Sequence, residues 1–208
     1  MIDIKTIPVG TAQSNCYILT DLDHAEALII DPGDNADLIR SAIEKANTTP
    51  LAILLTHTHF DHIGAVDVIR DTYEIPVYVG KEEADWLLDP NKNLSTLSGG
   101  YVHARAAEHL FNPVETLEIG HFTFKVVPTP GHSPGSVSFI FEDGEFVVSG
   151  DALFAGSIGR TDLPEGNHEQ LLESIRQELF TLSEDFTIYP GHGKNSTVGY
   201  EKATNPFF

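Results

Sequence analysis

The sequence predicts an α/β protein in which two sheets carry helices on their outer faces. Three observations lead there. Short β-rich runs alternate with helical spacings through the first half. The second half is a series of strands followed by one strongly amphipathic helix. Neither half holds a linker, a low-complexity tract or a sequence-level repeat. Layers that each bury one apolar face satisfy such an order, although it leaves the pairing of the strands open.

Strands are expected at Ile4–Val9, Cys16–Thr20 and Ala27–Ile30, the last closed by the turn Asp31-Pro32-Gly33. Asp37–Ala46 carries Leu38, Ala42, Ile43 and Ala46 at helical spacing. Leu51–Leu55 is continuously apolar, as a strand buried on both faces requires. A helix over Ala65–Thr72 and a strand over Val77–Val79 follow. Lys81–Leu88 and Tyr101–Leu110 read as helices joined by a polar loop through Asn91–Gly100. Strands resume at Phe122–Val127, Val137–Phe141 and Phe146–Ser149, with a hairpin turn at Glu142-Asp143-Gly144-Glu145. His168–Phe180 aligns Leu171, Leu172, Ile175 and Leu179 on one helical stripe. A last strand, Phe186–Tyr189, and a short helix over Thr197–Lys202 complete the chain.

With 208 residues the chain is expected to fold as one domain, 1–208. The start, Met1-Ile2-Asp3-Ile4-Lys5, lacks the basic and apolar regions of a signal peptide, and no apolar run approaches the roughly 18 residues of a membrane span. A cytoplasmic protein is the resulting expectation. The single cysteine, Cys16, cannot form an internal disulfide and reads as a small core residue. Thirty-one acidic against 12 basic residues give a net charge of −19, which would repel nucleic acid and anionic membranes. Ten histidines are the odd feature of this composition.

Five of the ten, His57, His59, His62, His132 and His192, lie just past the ends of apolar strands. Thr56-His57-Thr58-His59-Phe60-Asp61-His62 follows directly on the Leu51–Leu55 strand. His57 and His59 are two apart and can point the same way. Asp61 and His62 are adjacent and are expected to diverge, which suits ligands for two different ions. Imidazole and carboxylate are donors for zinc and for other first-row metals. Three further strands end in glycine-containing turns that deliver one such residue each: Pro130-Gly131-His132, Ser149-Gly150-Asp151 and Pro190-Gly191-His192. Singly these are common turn dipeptides. Together with the first motif they form a metal-ligand set.

The pattern His-x-His-x-Asp-His, then Gly-His, Gly-Asp and Gly-His, resembles the metallo-β-lactamase superfold over nearly the whole chain. Ser149-Gly150-Asp151-Ala152-Leu153-Phe154, Ser157-Ile158-Gly159-Arg160-Thr161-Asp162 and Gly191-His192-Gly193-Lys194 are similar to glyoxalase II-like hydrolases, the hydroxyacylglutathione hydrolases. The ending Thr204-Asn205-Pro206-Phe207 is similar to their short bacterial branch. The resemblance implies a four-layer αββα sandwich and two divalent ions, zinc in first place with iron or manganese as alternatives. It implies that His57, His59 and His132 bind one ion, that Asp61, His62 and His192 bind the other, and that Asp151 bridges them.

It also implies hydrolysis of a small-molecule thioester by hydroxide held between the ions, with Asp61 orienting it. Bound water can ionise near a pKa of about 7, and a thiolate leaves readily. Arg160 is the expected grip on an anionic thiol carrier and Lys194 the second candidate. Longer relatives carry a C-terminal helical region for glutathione, and the chain's end soon after His192 leads to an expectation of weak glutathione preference. A mononuclear-iron persulfide dioxygenase, a lactonase or a β-lactamase is the alternative reading. Oligomeric state has no signal in the sequence.

Overall fold

A computed structural model of the chain describes every residue except Pro113. Its residues group into two units, Met1–Phe111 with Glu118–Phe122, and Asn112–Leu117 with Thr123–Phe208. No helix among the described residues is long and apolar enough to cross a membrane.

The first unit is built on a six-stranded sheet in sequential order: β1 (Ile2–Val9), β2 (Ser14–Asp21), β3 (Glu26–Ile30), β4 (Thr49–Leu54), β5 (Val77–Gly80) and β6 (His109–Phe111). β1, β2 and β3 pair antiparallel, and β3 to β6 pair parallel. The parallel steps need crossovers, which α1 (Ala36–Ala46) and then α2 (Phe60–Ile63) with α3 (Val66–Tyr73) supply. β4 lies between two parallel neighbours, so Ala52, Ile53, Leu54 and the following Leu55 are fully buried. The core joins them to Ile29, Ile39, Ile43, Val66, Ile69 and Val77. Cys16 is buried in this core, and desolvation, with the nearby Asp31 charge, pushes its thiol pKa up. It is the core residue its sequence context indicates.

Two expectations fail here. On α1 the buried stripe is Ile39, Ala42 and Ile43, while Leu38 is exposed. The helices expected over Lys81–Leu88 and Tyr101–Leu110 are absent. Lys81–Glu83 and Trp86–Leu88 are single 3₁₀ turns, and the second segment is extended up to β6. For the second segment the cause is a buried arginine. Arg70 donates to the carbonyls of Arg105 at 3.3 Å and Ala106 at 3.1 Å and pairs with Glu108, while Asp67 accepts from Arg105 N. Main-chain groups that a helix would pair internally are satisfied by α3 side chains instead.

The second sheet runs β14 (Ser196–Thr197), β13 (Thr187–Pro190), β10 (Phe146–Gly150), β9 (Val137–Phe141), β8 (Phe122–Pro128) and β7 (Glu115–Ile119). β10 and β13 pair parallel, and α4 (His168–Ser174) lies in the crossover between them. Asn167 caps α4 by accepting from Gln170 N at 3.1 Å. The predicted helix continues as one π turn, Ile175–Leu179, and Leu171, Ile175 and Leu179 are all buried against Val147 and Ile188. Two short strands, β11 (Leu153–Phe154) and β12 (Ser157–Ile158), form a separate hairpin. α5 (Val198–Thr204) anchors it: the buried Glu201 accepts from Gly156 N at 2.9 Å and Asn205 donates to Ser157 O at 3.1 Å.

One glycine in the first unit has no steric alternative. A Cβ on Gly33 would lie 1.7 Å from the Asp61 carbonyl oxygen. Gly33→Ala is expected to cost about 3 kcal/mol or more, the upper end of what overpacking does. Urea unfolding would show it, and an unchanged midpoint would mean that the turn yields without cost.

Candidate metal centre

In the first unit, β4 ends at Leu54 and delivers His57 and His59, and α2 delivers Asp61 and His62. His57, His59 and His62 are buried. The His57 ring stands 4.8 Å from that of His59, edge to face, and 4.3 Å from that of His62. Asp61 Oδ2 is 3.7 Å from His62 Nε2. The expected divergence of Asp61 and His62 is therefore not found. Helical neighbours are about 100° apart, but both side chains lean toward the helix N-terminus, and there they meet. The Asp61 main chain is fixed from outside, because Ser14 donates its hydroxyl to the Asp61 carbonyl at 2.5 Å.

Asp31 organises this set. Its backbone is left-handed at φ 49°, as its turn context requires, and its carboxylate is buried. Oδ1 accepts from Thr56 N at 2.8 Å, and Oδ2 accepts from the Thr56 hydroxyl at 2.5 Å and faces His62 Nδ1 at 3.0 Å. Proton counting then settles two tautomers. Having given its one proton to Asp31, the Thr56 hydroxyl can only accept from His57 Nδ1, 3.1 Å away. His62 likewise holds its proton on Nδ1, facing Asp31. Both rings are left with a lone pair on Nε2, the form in which imidazole binds metal. Asp31, His57 and His62 do form one donor cluster. With its oxygens already engaged, Asp31 serves as an outer partner that aims the ligands.

Glu83 plays a similar part for the loop itself. It is fully buried and accepts from both the main-chain N–H and the hydroxyl of Thr58, each at 2.8 Å. Thr58 lies between His57 and His59, so this carboxylate sets the backbone that carries both. Trp86 stacks on the His59 ring at 6.3 Å. Neither Glu83 nor Trp86 is conspicuous in the sequence. A cavity of about 370 Å³ opens beside Asp61, walled by Thr11, Gly33, Phe60, Gly64 and Val102.

In the second unit Asp151 leaves β10, His132 follows β8, and His192 follows β13. One oxygen, Asp151 Oδ2, lies 3.4 Å from His132 Nε2 and 3.5 Å from His192 Nε2. His132 Nδ1 faces the Arg160 carbonyl at 2.7 Å. A carbonyl only accepts, so the His132 proton sits on Nδ1 and its lone pair points at a carboxylate. That contact is favourable only with a proton or a metal cation between the two, so the donor set fits a metal ion. Gly159 permits it: a Cβ there would sit 1.8 Å from the Asp151 carbonyl oxygen and 3.2 Å from His132 Cβ.

The two candidate substrate cations fare differently. Arg160 reaches both oxygens of Asp162 at 2.8 Å. That pairing holds the Asp162 carboxyl down at about 2. What Arg160 contributes to the ligand set is its main-chain carbonyl. Lys194 is exposed and borders a groove of about 530 Å³.

Comparison with known proteins agrees with this picture. Residues 9–192 match the metallo-beta-lactamase superfamily. A probable metallo-hydrolase of Bacillus subtilis (strain 168), YqgX, is 48% identical, with 98% of this chain and 96% of that one covered. The hydroxyacylglutathione hydrolase GloC of Haemophilus influenzae is 36% identical over 99% and 97% of the two chains. The crystal structure of the B3 metallo-beta-lactamase BLEG-1 is 48% identical, covers 99% of each chain and superposes with a TM-score of 0.95. With that match the α/β fold and the His/Asp donor sets have one explanation: the chain belongs to the metallo-beta-lactamase superfamily and has its α/β sandwich fold.

Proposed function

We propose that the chain is a single-domain, cytoplasmic, binuclear metallohydrolase of small acyl thioesters. In this reading His57, His59 and His132 hold one ion, Asp61, His62 and His192 hold the other, and Asp151 reaches both. The observation that carries it is the committed proton on Nδ1 of His57, His62 and His132, which leaves Nε2 of each to a metal. Zinc suits this histidine-rich set, and iron or manganese can replace it. When bound, two such ions bring water to a pKa of about 7 and polarise a carbonyl.

The chain's own residues do the rest. Asp61 accepts a hydrogen bond from the attacking water and orients it toward the carbonyl carbon. The cavity beside Asp61 is lined by glycines with Thr11, Phe60, Ser98, Val102 and the aspartates Asp34 and Asp61, and it has room for a small acyl group. A thiolate needs little help to leave, so no dedicated general acid is required. That is the reason to place thioesters before amides or esters. The 36% identity to a hydroxyacylglutathione hydrolase supports the same order.

Hydrolysis of a β-lactam ring is the second reading, favoured by the 48% identity to a B3 metallo-beta-lactamase. The metal-loaded protein is expected to hold two ions per chain by elemental analysis and to release thiol from S-lactoylglutathione and simpler lactoyl thioesters. Loading that never exceeds one ion would remove the binuclear centre. Values of kcat/KM at least about tenfold higher for a chromogenic cephalosporin, 1.4 kcal/mol in the transition state, would exchange the two readings. Oxygen uptake with glutathione persulfide on an iron-bound protein, without thiol release, would replace both.

A further inference from the structure

Resting on the thioester reading, we infer that the groove between the β11–β12 turn and the β14–α5 segment binds the carboxylate end of the thiol carrier, with Lys194 as its cation. The groove is bounded by Ala155, Gly156, Lys194, Ser196, Thr197 and Tyr200. It has room for a substantial ligand, about 530 Å³. Its lining supplies one ammonium, hydroxyls and a phenol, and no carboxylate.

Such a lining is unusual on a chain with 31 acidic and 12 basic residues. Six other cations are held by carboxylates. Arg40 pairs with Asp37, Arg70 with Glu108, Lys92 with Asp85, Arg105 with Asp71 and Lys125 with Glu142. Arg160 is closed off by both oxygens of Asp162. Glu201, which holds the groove residues Gly156 and Ser196, is buried and accepts from Gly156 N, Asn205 Nδ2 and the Ser196 hydroxyl. Its charge is spent holding the groove's two walls together.

Position makes the groove a carrier site and not a remote patch. Lys194 is two residues beyond His192. Phe154, the residue before the groove wall at Ala155, meets the His192 ring edge-on at 6.1 Å. A thioester whose carbonyl reacts beside His192 extends its thiol portion along this wall. A flexible lysine ammonium serves a mobile carboxylate as a point charge and needs no planar fork. Because the pair is exposed, its worth is modest and falls with salt.

S-Methylglutathione, a thioether that cannot be hydrolysed, and its dimethyl ester serve as probes in calorimetric titrations of the metal-loaded protein. The wild type is expected to bind the diacid about tenfold more tightly than the diester, a difference of 1.4 kcal/mol. Lys194→Glu should erase that preference, Lys194→Arg should retain most of it, and Lys202→Glu, the same charge change on α5, should leave it intact. In kinetics, Lys194→Glu should raise KM for S-lactoylglutathione relative to an uncharged lactoyl thioester by a similar factor. Equal binding of diacid and diester by the wild type, or a preference that survives Lys194→Glu, overturns the groove. Turnover of the uncharged thioester tests the hydrolase reading alone. Its absence beside intact charge-selective binding overturns that reading and leaves the groove standing.

Discussion

Replacing Asp151 by alanine is expected to abolish turnover and release metal while the fold survives. In the second unit a single oxygen of Asp151 faces two ligand-type imidazoles, at 3.4 and 3.5 Å. Removing even an outer partner of a metal ligand costs roughly 10–100-fold in affinity or activity, so losing this carboxylate should reduce kcat by more than 100-fold. Stability should change little in the metal-free protein, since the carboxylate there faces a His132 nitrogen that carries no proton. Elemental analysis, kcat and circular dichroism on one preparation decide the matter. A mutant with full metal content and near-native kcat would remove Asp151 from the centre.

Asp31 is expected to produce the second largest effect, for a different reason. Its carboxylate accepts from the Thr56 N–H and hydroxyl and receives His62 Nδ1. Asp31→Ala leaves those buried donors without an acceptor, each worth about 1–3 kcal/mol, and should destabilise the first unit visibly in urea. Asp31→Asn separates the roles. Its amide oxygen can still accept from Thr56 N, but its NH₂ opposes His62 Nδ1–H and disfavours the tautomer that exposes Nε2. The asparagine variant should therefore keep much of its stability and lose metal affinity by roughly 10–100-fold. Competition with a chromophoric chelator measures this directly. Affinity within about twofold of the wild type would reduce Asp31 to a turn residue.

Much of the ligand chemistry was legible because it is local. His57, His59, Asp61 and His62 occupy six consecutive positions after an apolar strand, and rigid strand ends are where side chains can be held in place. His132, Asp151 and His192 are each announced by an apolar run and a glycine. The long strands were equally readable, since β4 and β10 carry enough apolar residues to declare their burial. The hairpin β11–β12 was not: two-residue strands have no period to detect.

In two places a long-range partner decided the outcome. The Tyr101–Leu110 spacing suits a helix, yet Arg70, some 35 residues earlier in the chain, takes its carbonyls. Glu83 reads as one surface acid among 31, and only the fold places it 25 residues from its partner Thr58, under the histidine loop. Arg160 shows the same reach: its guanidinium pairs with Asp162, and its main-chain carbonyl accepts from His132 Nδ1, a contact 28 residues apart that no local pattern announces. The sequence by itself therefore determined which imidazoles and carboxylates gather as candidate donors, the strand ends that carry them and the superfamily they belong to, because those depend on residue type and short spacing. Only the tertiary structure decided which nitrogen His57, His62 and His132 present and which cation stands beside a groove, because protons and charges are allotted by contacts that the order of residue types does not encode.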